Sequence, residues 1–308
     1  MTVRGWGVAA LAVGAALVLG ACGAKGESDS RADGVRELPL DRYELSAKEY
    51  RRATEAQARL AQRCMVDLGF ADFPRHPKEP KSREPGRALV AIGWSALGGQ
   101  DLEHARRWGY GWNEKKGLTP KPDGRRMTEE EYAAYNAGPG IRELPADGES
   151  GGRAVPEVGC NQQAAQRIYR GIEAGKRPWT YTRERTAALE KQATGDPRMR
   201  EAFRTWSQCV QDKGFKRYAR PVKAAQDPAW RPKYSNNTTH GKRELGTAVA
   251  DIECKREHGT ADVWSTVVAE LQRADLKRHK SQYEAAKREH DKVRARVRAA
   301  LGEAGEAG

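Results

Sequence analysis

Four cysteines in a duplicated context constrain this chain more than any other feature. The segment RCMVDLGF (residues 63–70) returns as QCVQDKGF (208–215), with its cysteine 145 positions later. The segments AVPEVGC (154–160) and AVADIEC (248–254) also align without gaps. The chain therefore contains C-x-x-D-x-G-F followed by A-V-x-[ED]-[VI]-x-C, and then contains both again. This order predicts a structural unit that occurs twice.

The repeat also bears on how the cysteines pair. Four cysteines allow three disulfide connectivities, and spacing alone does not choose among them. Equivalent halves should form equivalent bonds, which favours Cys64–Cys160 and Cys209–Cys254. Metal and redox roles are the alternatives. The chain has no C-x-x-C and no H-E-x-x-H motif, so the sequence predicts no metal site and no cofactor.

The conserved spacing within the repeat is typical of a helix end. Gly69 and Gly214 suit the left-handed residue that follows a helix, where glycine has no Cβ penalty. In a Schellman ending the next residue packs on an apolar residue five positions back, and the pairs here are Phe70 with Met65 and Phe215 with Val210. Asp67 and Asp212 do not fit this pattern, because an acid near a helix C-terminus opposes the helix dipole.

The first 21 residues have the composition of a secretory signal peptide. Arg4 precedes an almost unbroken apolar run, residues 6–19, that is shorter than the roughly 20 residues of a membrane-spanning helix. The run ends in Leu19-Gly20-Ala21-Cys22, which resembles the bacterial lipobox. The resemblance implies cleavage before Cys22, attachment of diacylglycerol to its sulfur, and a location on the extracytoplasmic face of the cell membrane. An ordinary signal or a short anchor is the alternative.

The chain is strongly basic. Its 308 residues carry a formal net charge of +13, and removal of residues 1–21, whose one charge is Arg4, leaves +12. Such a surface suits contact with anionic lipid head groups or anionic cell-wall polymers. An exported and tethered chain rarely meets nucleic acid, so we expect partners in the envelope: the membrane through the lipid, and an anionic wall polymer or an envelope protein.

Helix signals predict a mainly α fold of two related helical units, each with a disulfide, with long Pro/Gly-rich loops and a long C-terminal helix. The predicted divisions are a signal peptide (1–21), a flexible tether (22–40), unit 1 (41–175) and unit 2 (180–308). Capping boxes at Ser46 and Thr128 and an N-cap at Asp196 mark helix starts. The predicted helices cover residues 46–68, 128–137, 157–173, 181–193, a stretch from Pro197, 242–258 and 261–301.

The last predicted helix is unusually basic. Residues 270–298 hold ten Lys/Arg and five Asp/Glu along a stripe of weak core formers. One interpretation is a solvated helix laid over the domain. The other is a helix that binds a partner or a polymer through Arg294, Arg296 and Arg298 at its tip.

An aromatic segment is the one candidate for ligand contact. In RRWGYGW, Trp108, Tyr110 and Trp112 occupy alternate positions next to Arg107. Weak helix signals predict a short strand or an irregular packed loop here. The four side chains could form a platform for a sugar or another small ligand, or the aromatic rings could simply fill a small core.

No catalytic motif stands out. The chain lacks the nucleophile elbow, the phosphate-binding loop, the dinucleotide fingerprint and the EF-hand. We therefore predict no catalytic residues and expect a non-enzymatic, envelope-associated binding or interaction protein at the cell surface. A small-ligand-binding lipoprotein is one alternative. A cell-wall hydrolase is another, since such enzymes can work with two unmarked carboxylates.

The whole pattern resembles an uncharacterised family of actinobacterial secreted lipoproteins. The resemblance is carried by the lipobox, the two Cys-x4-Gly-aromatic helix ends, and the segments AVADIECK and ADVWSTV. It implies a helical fold and an extracytoplasmic location. It implies no activity.

Overall fold

The computed structural model of the chain describes residues 37–81, 96–113, 122, 124–137, 154–173, 175–232, 235 and 237–302. The predicted signal peptide, Cys22, most of the tether and the loop at 138–153 lie outside the described residues. The part that is described is mainly helical, and it contains no β-strand beyond an isolated bridge between Lys78 and Arg126. This confirms the predicted fold class.

Ten α-helices make up the described structure. They are α1 (Ala47–Asp67), α2 (Leu102–Trp108), α3 (Glu129–Asn136), α4 (Gly159–Tyr169), α5 (Tyr181–Ala193), α6 (Pro197–Asp212), α7 (Pro221–Ala225), α8 (Lys242–Glu257), α9 (Thr260–Arg278) and α10 (Lys280–Leu301). In the described ranges, none of these helices combines the length and the hydropathy that crossing a bilayer requires.

Local capping sets several of these helix starts where the sequence predicts them. The capping box at Ser46 is complete, because its side chain accepts from the Glu49 N–H while the Glu49 carboxylate accepts from the Ser46 N–H. Thr128 forms the same box at α3. Asp196 caps α6, with Pro197 as its first residue. Each cap satisfies backbone donors that a helix N-terminus leaves without partners.

The first copy of the repeat ends α1 with a Schellman motif. Gly69 has φ of +102°, its N–H donates to the Val66 carbonyl, and the Phe70 N–H donates to the Met65 carbonyl at 3.1 Å. Met65 is fully buried. The predicted helix ending is therefore confirmed for this copy.

The second copy ends α6 in the same way and gives a local role to its acid. Gly214 has φ of +86°, and the Phe215 N–H donates to the Val210 carbonyl at 3.2 Å. The Asp212 carboxylate accepts a hydrogen bond from the Gln208 side chain, one turn earlier, at 2.8 Å. This pair offsets part of the unfavourable interaction of Asp212 with the helix dipole.

Two disulfides join the helices in the pairing that the repeat predicts. Cys64 of α1 is bonded to Cys160 of α4, and Cys209 of α6 is bonded to Cys254 of α8. The copies differ in one respect. Residues 248–254 lie within α8, whereas α4 starts only at Gly159, one residue before its cysteine. Gly159 has φ of +72°, outside the right-handed helical region, and Pro156 disfavours a helical conformation at residue 155, so residues 154–158 precede the helix.

Helices from both halves of the sequence pack into one compact unit. α1 packs on α4 and α10, α3 packs on α4, and α10 also contacts α5. α6 packs against α8 and α9, and α2 lies on α8. The largest cluster of buried side chains surrounds Trp206 and the Cys209–Cys254 disulfide.

The predicted C-terminal helix contains one break that the sequence did not predict. A long C-terminal helix is present as α10, but the stretch is divided at His279 into α9 and α10. Tertiary bonds explain the division. The Tyr283 hydroxyl of α10 donates to Asp275 of α9 at 2.6 Å, and Arg185 of α5 donates to the same carboxylate. Burial alone would raise the Asp275 pKa, but these hydrogen bonds outweigh it and lower the pKa to about 2.

Two of the three arginines near the end of α10 form hydrogen bonds with other helices of the fold. Arg294 donates to the Glu49 carboxylate of α1 at 2.6 Å. Arg296 donates to the carbonyls of Ile168 and Arg170, where α4 ends. A cation at these carbonyls satisfies orphan acceptors and complements the dipole of α4. α10 is thus laid over the domain, and only Arg298 of the three arginines is exposed.

One buried histidine makes stability depend on pH. His290 is 2% exposed, and its ring centroid lies 4.1 Å from that of Trp179. Neither ring nitrogen has a hydrogen-bond partner in the part of the chain that the structure describes. Burial, reinforced by the positive charge of Arg294, lowers the pKa of His290 to about 4.

We expect His290→Phe to remove a specific acid destabilisation. Because the folded pKa is below the unfolded value of about 6.5, the unfolded state binds more protons between pH 6.5 and 4, and stability falls as the pH falls through this window. The loss in the free energy of unfolding that His290 causes reaches about 3 kcal/mol at pH 4. Urea unfolding at pH 7 and pH 4 should show a smaller loss in the variant than in the wild type. Equal losses would contradict the assignment.

Candidate functional site

The predicted aromatic segment folds as a helix followed by a tight turn, so the prediction of a strand or irregular loop is wrong for residues 102–108. The side chain of Asp101 accepts from the His104 N–H at 3.0 Å and starts α2. Gly109 then turns the chain with φ of +58°. Its missing Cβ leaves room for the Glu244 carboxylate, whose Oε1 would lie 2.6 Å from that atom.

The structure separates the four residues that were predicted to contact a ligand. Tyr110 is 3% exposed and belongs to the core around Trp230, so a ligand could reach it only if the segment opened. Trp108 is half-buried against the edge of His240, and Trp112 is half-buried. Arg107 is exposed and lies 3.8 Å from Glu103. A ligand role for the three accessible side chains stays a prediction.

The turn after α2 is held by polar side chains of the segment before α8. The Asn237 side chain accepts from the Trp112 N–H and donates to its carbonyl, at 3.0 and 2.9 Å. A Cβ on Gly111 would collide with Thr238 Oγ1 and His240 Nε2. The alternating glycines of the aromatic segment therefore reflect close packing of backbone against side chains.

Beneath this turn lies a buried ion pair. Lys255 Nζ lies 2.9 Å from Asp251 Oδ1 and 2.8 Å from the Gly99 carbonyl, and the two side chains are 0% and 1% exposed. Trp206 Nε1 and the Tyr110 hydroxyl also donate to Asp251. Burial raises the Asp251 pKa and lowers the Lys255 pKa, while each charge opposes the shift of the other.

A different part of the surface offers an accessible and chemically defined site, which we call the arginine groove. It has a volume of about 470 Å³ and is lined by Arg200, Arg204, Ser207, Arg217, Tyr218 and Ala219. No acidic residue lines it.

Helix spacing and one buried hydrogen bond bring these arginines together. Arg200 and Arg204 are one turn apart on α6 and share a face. Ser207, on the next turn, donates from its buried hydroxyl to the Tyr218 carbonyl at 2.6 Å. This bond holds the segment after α6 against the helix and places Arg217 beside the other two.

Two of the three guanidinium groups have no acidic partner among the described residues. Arg204 forms an ion pair with Glu201. Arg200 and Arg217 form no ion pair with any described residue, and both are exposed. A guanidinium group can donate two parallel hydrogen bonds to a carboxylate or a phosphate, so the groove can bind such groups.

The sequence did contain a signal for this groove. Residues 213–223 carry five Lys/Arg and no Asp/Glu, and they follow an i,i+4 arginine pair. Two of these cations are paired with acids. Lys216 donates to Asp227 at 2.8 Å, and Lys213 lies 3.6 Å from Glu253 and 3.7 Å from Glu257. The net charge of the whole chain does not show where along the sequence the excess of positive charge lies.

Three potential metal ligands lie close together, but one of them cannot bind a metal ion. Cys209, Glu257 and His258 lie within reach of one ion. However, the Cys209 sulfur is bonded to Cys254, and a disulfide sulfur is not the thiolate that binds metals. Only two donors remain, one carboxylate and one imidazole.

Comparison of the chain with models of protein families, with curated proteins and with solved structures finds no match.

Proposed function

We propose that this chain is a lipid-anchored, extracytoplasmic binding protein that is not an enzyme and that holds anionic polymers of the cell envelope in the arginine groove. The observation that carries the proposal is the groove itself: three arginines, no acid among its described lining residues, and two arginines that form no ion pair with a described residue. The lipobox at Cys22 and the two disulfides support an exported location.

The electrostatics of the chain favour a polymer over an isolated ion. A net charge of +13 attracts polyanions over distances of about a Debye length, roughly 10 Å at 0.1 M salt. The groove then supplies short-range bonds at Arg200 and Arg217. A polymer with repeated anionic groups can occupy the groove and contact neighbouring cations, such as Arg220 and Lys223, at the same time.

A binding role also agrees with the way the buried charges are used. Asp251 and Lys255 are enclosed and bonded to each other. Asp275 is bonded to Arg185 and Tyr283. In the described part of the chain, these strongly buried acids stabilise helix packing and do not face a groove where a substrate could reach them.

The test is binding of the soluble chain, residues 23–308, to cell-wall material in sedimentation assays. We expect Arg200→Gln with Arg217→Gln to weaken binding about tenfold or more, because each charge-assisted hydrogen bond contributes about 1.5–3 kcal/mol. The control is Arg273→Gln with Arg288→Gln, which removes two exposed arginines of α9 and α10 and lowers the net charge equally.

The possible outcomes distinguish binding in the arginine groove from nonspecific attraction by the net positive charge. Weakening in the groove variant alone, together with loss of binding after the anionic polymers are stripped from the wall, supports the proposal. Equal weakening in both variants would leave only net charge as the cause. Absence of binding by the wild type, or release of soluble wall fragments during incubation, would overturn the proposed function.

A further inference from the structure

A second groove runs along the other side of α6. It lies between α6 and the segment formed by the end of α8 and the start of α9. Two adjoining depressions of about 540 and 350 Å³ share Thr205 and His258 and make it continuous. We call it the α6/α9 groove.

The floor of this groove is apolar at one end. Ala202, Val263 and Val267 line it there, and they belong to a core cluster that includes Trp264. Val267 is fully buried and Ala202 is 8% exposed, whereas Val263 is only partly buried, so Val263 is the floor side chain that a partner can contact. Apolar side chains left accessible in a groove gain free energy when another apolar surface covers them.

The rim carries the opposite charge to most of the chain. Four acids line the two depressions, at Glu201, Asp212, Glu257 and Asp262, against two fixed cations, Arg198 and Lys213. Two of these acids are partly balanced, Glu201 by Arg204 and Glu257 by Lys213. The acids still outnumber the cations that line the groove, so the rim is locally negative on a chain of net charge +13. Complementary charge suppresses wrong partners and steers the right ones.

The length of the groove suits a short helix. Its α6 side extends from Arg198 to Lys213, which at 1.5 Å per residue is about 22 Å, or four helical turns. An apolar floor between charged rims is the usual receptor for an amphipathic helix, which inserts residues spaced at i, i+3, i+4 and i+7.

We propose that the α6/α9 groove is the docking site for an amphipathic helix of a partner protein, with an apolar stripe flanked by Lys and Arg. The site is independent of the arginine groove, because Arg200 and Ala202 are two positions apart and lie on opposite sides of α6. One helix would thus present a polymer site on one side and a protein site on the other.

A synthetic peptide tests the inference directly. The probe is a fluorescently labelled 16-residue helix with leucines at i, i+3, i+4 and i+7 spacing and lysines elsewhere, and a second peptide replaces every lysine by glutamate. Fluorescence anisotropy with residues 23–308 should show saturable binding of the lysine peptide. The two peptides are compared on the Arg200→Gln, Arg217→Gln variant, because the wild type could also hold the glutamate peptide in the arginine groove. On this variant the glutamate peptide should bind at least about tenfold more weakly, since it meets like charges along the rim.

Matched variants localise the binding. Val263→Lys places a cation on the apolar floor and should weaken binding of the lysine peptide about tenfold or more. Val66→Lys makes the same change at an exposed valine of α1 and should have little effect. Glu257→Gln, at an exposed rim position, should weaken binding by a smaller factor and checks the charge contribution without disturbing the floor.

Three results would overturn the inference. The first is equal affinity for the two peptides, and the second is equal weakening by Val66→Lys and Val263→Lys. The third is a dimer of the wild type in sedimentation velocity that Val263→Lys dissociates, which would make a second copy of this chain the occupant. Because the arginine-groove variant retains the α6/α9 groove, it should bind the lysine peptide as the wild type does.

Discussion

Replacing Asp251 with alanine is expected to lower the free energy of unfolding by about 3–5 kcal/mol, because the change leaves a buried charge without its partner. Lys255 is 0% exposed, and among the described residues its ammonium group has only Asp251 and the Gly99 carbonyl as bonding partners. The same change removes the carboxylate acceptor of the Tyr110 hydroxyl, whereas Trp206 Nε1 keeps the backbone carbonyl of residue 251 at 3.1 Å. Urea unfolding at pH 7 with the disulfides intact measures the cost.

A double replacement tests whether the ion pair is the cause. Asp251→Leu with Lys255→Met removes both charges and keeps most of the buried volume. Since a buried ion pair replaced as a unit often costs little, we expect this variant to be more stable than Asp251→Ala, although Tyr110 and Trp206 still lose an acceptor. If the double variant costs as much as the sum of the single ones, the two charges are not coupled and the assignment fails.

The features that the sequence predicted correctly are those whose causes are local. A capping box needs Ser46 and Glu49 alone, and a Schellman ending needs a glycine and one apolar residue behind it. The disulfide pairing is a longer-range feature, yet it followed from the internal repeat, because the two copies constrain each other. The buried stripe of α10, from Tyr283 to Val297, followed from helical periodicity.

The features that the sequence did not predict depend on contacts between distant segments. Asp251 and Lys255 are spaced i,i+4, which in a sequence is the mark of an exposed surface pair. They are buried because α2 and its turn, the segment at Gly99 and Trp206 of α6 together cover this face of α8. The division at His279 likewise depends on bonds from α5 and α10 to Asp275, and neither glycine nor proline marks it.

The candidate site falls between these cases. The i,i+4 spacing of Arg200 and Arg204 is local and visible in the sequence. The position of Arg217 is not local, since it depends on the hydrogen bond from Ser207 to the Tyr218 carbonyl. In the aromatic segment the sequence suggested a site instead of missing one. Its composition suggested a ligand platform, but in the fold Tyr110 covers the buried ion pair.

Removing either disulfide is expected to cost about 4–5 kcal/mol. The bonded cysteines are 96 positions apart in the first pair and 45 in the second. Loss of chain entropy in the unfolded state grows only with the logarithm of this separation, so the loop-closure model gives the first disulfide an advantage of less than about 1 kcal/mol. The variants are Cys64→Ala with Cys160→Ala, and Cys209→Ala with Cys254→Ala, compared by urea unfolding.

The comparison of the two variants separates entropy from packing. If the unfolded-state constraint dominates, the first pair costs slightly more. Cys209 and Cys254, however, pack in the core cluster that contains Trp206, and they connect α8 to α6, the helix that lines both proposed binding grooves. A larger cost for the second pair, with weaker binding at both grooves, would show that this disulfide acts by holding α6 in place. A cost below about 1 kcal/mol for each pair would contradict both accounts, since it would mean that helix packing alone fixes the fold.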